Sequence, residues 1–296
     1  KSTLLLISIP AVVAFNGYLP TICRNTRLMT SRSDSIAFPH PLKPHAVINR
    51  RHVNLRLTPS SSSDLNSRIA RFYDESSSLW EEVWGEHMHM GHYGDNGDEK
   101  KTNLKAQQDM VDRLIDWGGI PSSPPRTVLD VGCGVGGSSR HLARRFNCQV
   151  TGITLSPLQC DHATARSMRA GLSNRTRFLV ADALNLPFAN DSFDLIWSME
   201  SGEHMPDKVR WLSECHRVLR PGGRLLVATW VHRNTERQGG SVLGHPANPG
   251  LSGSERRLLD KVSRYYELPD WVELHDYRAA AAAAGLRWAR ESDWSA

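Results

Sequence analysis

The chain has 296 residues, of which 40% are hydrophobic and 23% are charged, as is usual for a globular protein with a substantial core. The net charge of +5 does not indicate nucleic-acid binding. Residues 1–63 carry eight Lys or Arg and a single acid, so the remainder of the chain is slightly acidic. The five cysteines lack C-x-x-C spacing, which argues against a zinc site or a disulfide framework and indicates reduced thiols.

The first 63 residues are typical of a targeting leader. Lys1 precedes a mostly apolar run that ends at residue 15, too short to span a bilayer but typical of a signal-peptide core over residues 1–14. Residues 15–63 are rich in Ser, Arg and Pro and nearly free of acids, as transit peptides are. We therefore predict a disordered bipartite leader that directs the protein to a plastid. The alternative is a disordered tail without a targeting role.

Residues 64–125 are predicted to form a helical lid segment. Apolar side chains recur at helical spacing from Leu65 to Trp84, and a second amphipathic helix is predicted at 104–117. The run WGEHMHMGHYG (84–94) between them contains three histidines. It has three interpretations: exposed loop histidines, a metal site, or a lid over an apolar substrate. We favour the lid and expect no metal. The predicted lid residues are Trp84, His87, Met88, His89 and Tyr93.

From residue 126 the predicted strands and helices alternate, which indicates an α/β fold with a mainly parallel sheet and helices on both faces. A glycine- and proline-rich insertion is expected at 233–253. Strands are predicted at 126–131, 149–153, 177–181, 193–198, 224–230 and 286–294. Helices are predicted at 138–146, 157–170, 206–219, 254–266 and 275–284.

The stretch VLDVGCGVGGSSRHLA (128–143) joins the first of these core strands to its helix through a glycine-rich turn. Bare backbone there lets a ligand approach the carboxyl end of the strand. The spacing of Gly132, Gly134 and Gly137 also fits a dinucleotide fingerprint. Such a site uses an acid at the end of the next strand, however, and residues 150–156 contain none. Asp130 instead suits a ligand that carries an ammonium group.

The pattern Asp-x-Gly-x-Gly-x-Gly resembles motif I of the S-adenosylmethionine-dependent methyltransferases. The resemblance implies a Rossmann-like class I methyltransferase fold for residues 126–296, with S-adenosylmethionine (SAM) as cofactor. Asp182 follows the third core strand, where its carboxylate and the next backbone N–H can hold the adenine; alternatively it is a turn or cap acid. The predicted cofactor-binding residues are Asp130, Gly132, Gly134, Gly136, Thr154, Leu155, Gln159, Asp182, Ala183 and Met199.

The fourth core strand delivers WSMESGEHMPDK (197–208) to the same edge of the sheet. Methyl transfer needs orientation of the acceptor and a base for any proton that is lost, and a histidine near its ordinary pKa can supply the base. We therefore predict His204 and Glu203 as catalytic residues. The alternative is that both cap the helix that Pro206 opens.

Longer runs make the resemblance more specific. RIARFYDESSSLWEEVWGEHMHMGHYG, FDLIWSMESGEHMPDK and PGGRLLVATWVHRN resemble the γ-tocopherol C-methyltransferase family. Its relatives include plant alkaloid N-methyltransferases and glycine-betaine-forming enzymes. The resemblance implies methylation of an aromatic carbon of a prenylated chromanol, peripheral contact with a membrane, and neither a nucleic-acid nor a metal partner. Two alternatives stay open: a small-amine N-methyltransferase, and a cofactor-binding protein that is inactive or regulatory.

The family continues well past residues 293–295. We therefore expect C-terminal strand material to be missing from this chain, so that the strand at 286–294 is an unpaired, exposed edge.

Overall fold

The computed structural model describes residues 3–8, 62–120, 124–233 and 250–294. The strands in these ranges are β1 (Thr3–Ser8), β2 (Thr127–Val131), β3 (Gln149–Thr154), β4 (Thr176–Val180), β5 (Phe193–Met199), β6 (Leu219–Thr229) and β7 (Arg287–Asp293). The helices are α1 (Ser62–Trp84), α2 (Asn103–Gly118), α3 (Gly137–Phe146), α4 (Pro157–Arg169), α5 (Lys208–Val218), α6 (Gly253–Tyr266) and α7 (Leu274–Ala283). A 3₁₀ turn covers Gly202–His204.

The seven strands form one sheet in the order β4-β3-β2-β5-β6-β1-β7, and all paired neighbours run parallel. The predicted α/β fold with a mainly parallel sheet is confirmed. From β2 the chain moves outward to β3 and β4, and it then returns to the other side of β2 through β5. Ligands of open α/β sheets bind at such a reversal, outside the carboxyl ends of the strands. The fold therefore places a crevice at the ends of β2 and β5.

Two apolar cores cover the two faces of the sheet, because successive strand residues point to opposite sides. On one face, Leu129 and Ile196 pack with Trp211 of α5 and Tyr277 of α7. On the other face, Val128, Leu195 and Trp197 pack with apolar residues of α2 and α3. Helix α2 is therefore part of the core, although the sequence assigned it to the lid segment.

Local signals explain where several helices begin. The side chains of Thr102 and Ser156 accept the backbone N–H groups of Lys105 and Gln159 and so cap α2 and α4. Helix α5 begins at Lys208, two residues later than predicted, because Asp207 accepts the N–H of Arg210 as its cap. Helix α6 begins with a capping box between Ser252 and Glu255.

The edge of the sheet differs from the prediction. Strand β7 is paired with β1, so the expectation that residues 286–294 are unpaired is wrong, although β7 is the outermost strand. Residues 3–8 lie between β6 and β7 instead of being disordered. The physical reason is that a short apolar run suits a buried parallel strand as well as a signal core. Ser62 and Ser63, the last two residues of the predicted leader, are the first residues of α1. The other leader residues, and residues 234–249 of the predicted insertion, lie outside the described residues.

Strand β6 also begins earlier than predicted. The sequence Pro221-Gly222-Gly223 was expected to be a turn before a strand at 224, but β6 starts at Leu219 and continues through it. A register shift against β5 between Phe193 and Leu195 accommodates this irregular stretch.

No helix in the described ranges has both the length and the apolar character needed to cross a bilayer.

Candidate active site

A cavity of about 640 Å³ lies at the carboxyl ends of the central strands. It is bounded by the glycine turn after β2, the turn after β5, helix α1, the loop that follows α1, and helix α6. Fifteen of the seventeen site residues predicted from the sequence line it. These are Asp130, Gly132, Gly134, Thr154, Leu155, Gln159, Asp182, Ala183, Met199, Glu203, His204, Trp84, His87, Met88 and His89.

Two predicted site residues do not line the cavity. Gly136 caps α3 with a φ of 77°, and a Cβ there would lie 2.8 Å from the ring of Phe178, so this glycine serves packing against β4. Tyr93 is half-buried beside the start of α2, where its hydroxyl donates to Asn103 Oδ1 at 2.9 Å. The predicted roles of Gly136 in cofactor binding and of Tyr93 in the lid therefore stay predictions that the cavity lining does not support.

Asp130, near the end of β2, is a buried acid with no cationic partner among the described residues. Its side chain is 2% exposed, and the Ser139 hydroxyl donates to its Oδ2 at 2.5 Å. Burial raises the pKa of Asp130 to about 7, although the hydrogen bonds from Ser139 oppose this. Within the described ranges it makes no ion pair. A cationic ligand group beside this carboxyl would favour its ionised form.

The glycine turn is held tightly against two other segments. Gly132 has a φ of 74°, and a Cβ there would lie 2.3 Å from the Cβ of Ser201. A Cβ on Gly137 would lie 2.2 Å from the backbone oxygen of Glu86. Real Cβ atoms do not approach other atoms this closely. The turn after β5 and the loop over residues 85–94 that follows α1, here called the lid loop, therefore both require bare backbone at these glycines.

The ends of β3 and β4 carry the other predicted cofactor contacts. Thr154 donates its hydroxyl to Gln159 Oε1 at 2.8 Å, which fixes the amide of Gln159 at the cavity wall. Asp182 accepts the N–H of Leu184 at 2.8 Å through Oδ1, as a turn acid does. Its Oδ2 accepts Asn66 Nδ2 of α1 at 2.8 Å. Asp182 thus serves as a turn acid and also lines the cavity.

Helix α1 lies across the ends of three strands, which the sequence did not reveal. Asn66 binds Asp182 after β4, Asp74 accepts the Ser156 hydroxyl after β3 at 2.5 Å, and the Tyr73 hydroxyl lies 2.9 Å from His204 Nε2 after β5. Glu81 pairs with His162 and Arg166 of α4. These polar contacts join residues 81 to 131 positions apart, so no local motif could indicate them.

The lid loop is buried, contrary to the interpretation of exposed histidines. His87 and His89 are 4% and 6% exposed, and His87 Nδ1 lies 3.2 Å from His89 Nε2. Gln107 Nε2 donates to the backbone oxygens of both, which anchors the loop to α2. Burial lowers the pKa of His87 to about 2 and that of His89 to about 4, so both are neutral near pH 7. Among the described residues no group of three or more His, Cys, Asp or Glu could hold a metal ion.

The turn after β5 brings two carboxyl groups into the cavity. Glu200 has a φ of 49°, an uncommon backbone conformation for a non-glycine residue, and its Oε1 accepts the N–H of Met90 at 3.0 Å. Glu203 Oε2 accepts the Thr229 hydroxyl at 3.0 Å. Burial, together with the charge of Glu203, raises the pKa of Glu200 to about 8, and burial raises that of Glu203 to about 7.

His204 closes this turn as a neutral imidazole. Burial and the nearby Lys208 ammonium lower its pKa to about 3, so the expectation of an ordinary histidine pKa is wrong. Its Nδ1 has no hydrogen-bond partner among the described residues. The alternative that Glu203 and His204 cap α5 is also wrong, because Asp207 provides that cap.

Another wall of the cavity is aromatic, and its Trp230, Tyr265 and Tyr266 were not predicted from the sequence. The Trp80 and Tyr266 rings stack with centroids 6.1 Å apart, and the Trp230 ring meets Tyr266 edge-on at 5.6 Å. Helix α6 adds Leu258, Val262 and Tyr265. Its capping box and amphipathic pattern were readable, but its packing against α1 was not.

Comparison with known proteins agrees with this arrangement. Residues 129–227 match a family model described as a methyltransferase domain. A rice protein named "Probable tocopherol O-methyltransferase, chloroplastic" is 44% identical over 78% of this chain and 62% of its own length. Arabidopsis thaliana tocopherol O-methyltransferase is 38% identical over 83% of this chain and 70% of its own length. The solved structure of a geranyl diphosphate methyltransferase in complex with GPP and sinefungin shares 25% identity with a TM-score of 0.57, covering 74% of this chain and 79% of that one.

The chain thus spans 62% of the length of the rice relative. The similarity extends over the glycine turn, the strands that frame the cavity and much of the flanking chain. Together with the parallel sheet, it confirms the resemblance seen in the sequence motifs. The chain belongs to the methyltransferase family that contains the tocopherol O-methyltransferases.

Proposed function

We propose that this chain transfers a methyl group from SAM to an aromatic ring carbon of a prenylated chromanol, as in the conversion of γ-tocopherol to α-tocopherol. One observation carries the proposal. A single cavity runs from a buried, uncompensated carboxyl at Asp130 to an aromatic chamber that contains Glu203 and His204. A charged cofactor end and a largely apolar acceptor end are what such a reaction requires.

The residues at the first end fit SAM. Asp130 would hold the ammonium of the methionine moiety against the bare glycine turn, Gln159 would face the ribose, and Asp182 with Ala183 would face the adenine. Met199, the last residue of β5, also lines the cavity. When bound, SAM supplies a methyl group activated on a sulfonium.

The acceptor end offers a base for the phenolic proton. A carboxylate with a pKa of about 7 is half ionised at neutral pH and is well matched to general-base work, whereas an imidazole with a pKa of about 3 is a weak base. We therefore assign the proton to Glu203 and assign His204, hydrogen-bonded to Tyr73, to holding the ring. Loss of the phenolic proton raises the electron density at the ortho carbon, the atom that would take the methyl group as its bond to sulfur breaks. That carbon would then lose its own hydrogen as a proton, which restores the aromatic ring, and S-adenosylhomocysteine would leave.

A second candidate function is the methylation of an amine. Aromatic rings near two carboxyl groups resemble a site that encloses a cation, and Trp84, Trp230 and Tyr266 line the same cavity as Glu200 and Glu203. Against it, burial keeps Glu200 largely protonated near neutral pH and leaves Glu203 only about half ionised. The chamber then has little negative charge to offer a cation, so a neutral phenol is favoured.

The test is turnover with methyl-labelled SAM on γ-tocopherol and on small secondary amines. We expect label in the chromanol. We also expect Glu203→Gln to lower kcat by about 100-fold, a typical loss for a general base, with little change in S-adenosylhomocysteine affinity. His204→Gln should mainly raise KM. Label only in amines would contradict the chromanol assignment. Binding without any turnover would favour the inactive or regulatory alternative.

We propose in addition that the protein works in plastids at a membrane surface, since the rice and Arabidopsis relatives are both named chloroplastic. A prenylated acceptor would be dissolved in a membrane, which calls for peripheral contact. A fluorescent reporter fused behind residues 1–63 should enter plastids. A diffuse cytosolic signal would contradict the targeting role and leave residues 3–8 with their place in the sheet as their function.

A further inference from the structure

Lys208, the first residue of α5, is a buried cation that the proposed chemistry does not use. It is 5% exposed. Its Nζ donates to the backbone oxygens of Gly202 at 2.8 Å, Glu203 at 3.2 Å and Met205 at 2.6 Å. An ammonium has three N–H donors and a neutral amine has two, so this set of three acceptors is matched to the charged form. The three carbonyl groups belong to the turn that carries Glu203 and His204.

Starting the helix does not require this side chain, because the Asp207 carboxylate already caps α5. The ammonium instead faces the turn on one side and the ring of Tyr277 on the other, with Nζ 5.6 Å from the ring centroid. The Tyr277 hydroxyl lies 3.0 Å from the Thr229 hydroxyl, which in turn donates to Glu203 Oε2. Lys208 therefore binds the backbone oxygen of Glu203, and Thr229, which contacts Tyr277, binds its carboxyl group.

The titratable groups around Lys208 respond to its charge in the same direction. The ammonium lowers the pKa of Glu203, against the effect of burial, and helps to lower the pKa of His204. Burial lowers the pKa of Lys208 itself to about 7, and the Glu203 charge opposes that fall. Tyr277 of α7, whose pKa burial raises, and the capping carboxylate of Asp207 complete its ionisable surroundings.

We propose that Lys208 is a positioning residue whose ammonium fixes the turn after β5 and thereby places Glu203 and His204, to whose surroundings it adds a positive charge. The kinetic part of this inference rests on the proposed function. The effect on the ionisation of His204 does not, because it can be measured without any substrate.

The experiment compares Lys208→Met with Arg217→Met in the full chain. Arg217 is a matched control: it is also a cation on α5 that donates to loop carbonyl oxygens, those of Leu186 and Phe188, but at the other end of the helix. The His204 ring is titrated by NMR, with its signal assigned by loss in His204→Gln. We expect His204 to stay neutral to low pH in the wild type and in Arg217→Met, and to titrate at a higher pH in Lys208→Met.

Turnover provides the second measurement. We expect Lys208→Met to lower kcat by at least about tenfold and to move the ascending limb of its pH profile upward, since misplacing a reacting group is costly and Glu203 loses a favourable charge. Lys208→Arg, which keeps a cation, should restore part of both effects. An unchanged His204 titration in folded Lys208→Met would overturn the inference, as would equal effects of Lys208→Met and Arg217→Met. Absence of all turnover, with the expected His204 shift, would count against the proposed function and support the positioning role.

Discussion

The two ends of the cavity are built in different ways. At the cofactor end, the acid, the glycine turn and the first turn of α3 come from a single stretch, and Asp130 and Ser139 are nine positions apart. At the acceptor end, Glu200 accepts the N–H of Met90 across 110 positions, and Tyr73 meets His204 across 131. The part of the cofactor end that would hold the methionine moiety is therefore a local motif, whereas the acceptor end exists only when α1, the lid loop and the turn after β5 have packed together.

The two ends also use buried carboxyl groups for different purposes. Burial raises the pKa of Asp130 to about 7, much as it does for Glu203. Under the proposed function, the carboxyl at the cofactor end is ionised by a cationic ligand group. The acceptor end receives a neutral ring, so its carboxyl groups keep their raised pKa values. The difference lies in the ligand that each end meets and not in the degree of burial.

Gly132 lies where the glycine turn of the cofactor end contacts Ser201 in the turn after β5, so a substitution there should disturb both ends. Gly132→Ala puts a Cβ 2.3 Å from Ser201 at a φ of 74°. We expect it to destabilise the fold by roughly 2–4 kcal/mol and to abolish measurable binding of S-adenosylhomocysteine, because both strain and overlap must be relieved. Chemical denaturation and calorimetry measure the two effects.

The control for this variant is Gly171→Ala, which has a similar φ of 68° but open space around its Cβ. It should show the conformational cost alone, about 1 kcal/mol, with normal binding. Equal losses of stability and of S-adenosylhomocysteine binding in the two variants would mean that the close contact between Gly132 and Ser201 contributes to neither.

A second measurement distinguishes the cofactor end from the acceptor end by the proton that Asp130 releases when a ligand binds. In the ligand-free protein the pKa of Asp130 is about 7, and a bound ammonium should lower it. Binding of S-adenosylhomocysteine at pH 7 should then release about half a proton, and the release should fade at higher pH where Asp130 is already ionised. Calorimetry in buffers of different ionisation enthalpy measures it.

Asp130→Asn should abolish the release and weaken binding by roughly tenfold to a hundredfold, the cost of losing a buried charge-assisted contact. Glu203→Gln should leave the proton release unchanged. Proton release that disappears in Glu203→Gln and persists in Asp130→Asn would reverse the assignment of the two ends.

The last prediction concerns the dependence of folding stability on pH. Burial raises the pKa of Glu200 from the ordinary glutamate value of 4.5 to about 8, so between these values the folded state holds a proton that the unfolded chain releases. Its contribution to stability is therefore complete below about pH 4.5 and is lost as the pH rises through 8. Gln keeps the acceptor for the Met90 N–H but cannot ionise. Glu200→Gln should accordingly become more stable relative to the wild type as the pH rises from about 5 to about 9.

Glu214→Gln is the control with the opposite sign. The hydrogen bond from Arg217 lowers the pKa of Glu214, so its contribution is present at neutral pH and is lost only in acid. Glu214→Gln should therefore be less stable than the wild type at neutral pH, with the difference shrinking as the pH falls. Urea unfolding at several pH values gives both slopes. Parallel slopes for the two variants would contradict the raised pKa of Glu200.

Several strands and one glycine show how much of the fold could be predicted from the sequence. Alternation of apolar runs and amphipathic segments predicted the parallel sheet, and the bounds of β2, β3 and β5 agree with the prediction to within one residue. The run at residues 3–8 shows the limit, because a short, mostly apolar stretch satisfies a leader and an interior strand equally well. Gly136 shows another: it stands within the motif, yet its space is taken by Phe178 and not by the cavity.

The amino-acid sequence was enough to predict the fold class, the methyl-donor motif and most of the residues that line the proposed cofactor end. These features depend on periodicity, glycine conformation and strand-end placement within short segments. Four properties became visible only in the tertiary structure: the burial of His87 and His89, the contact of Tyr73 with His204, the raised pKa of Glu203, and the hydrogen bonds of Lys208 to the turn after β5. Burial and long-range contacts set these properties. They depend on which distant segments pack together, which no local pattern records.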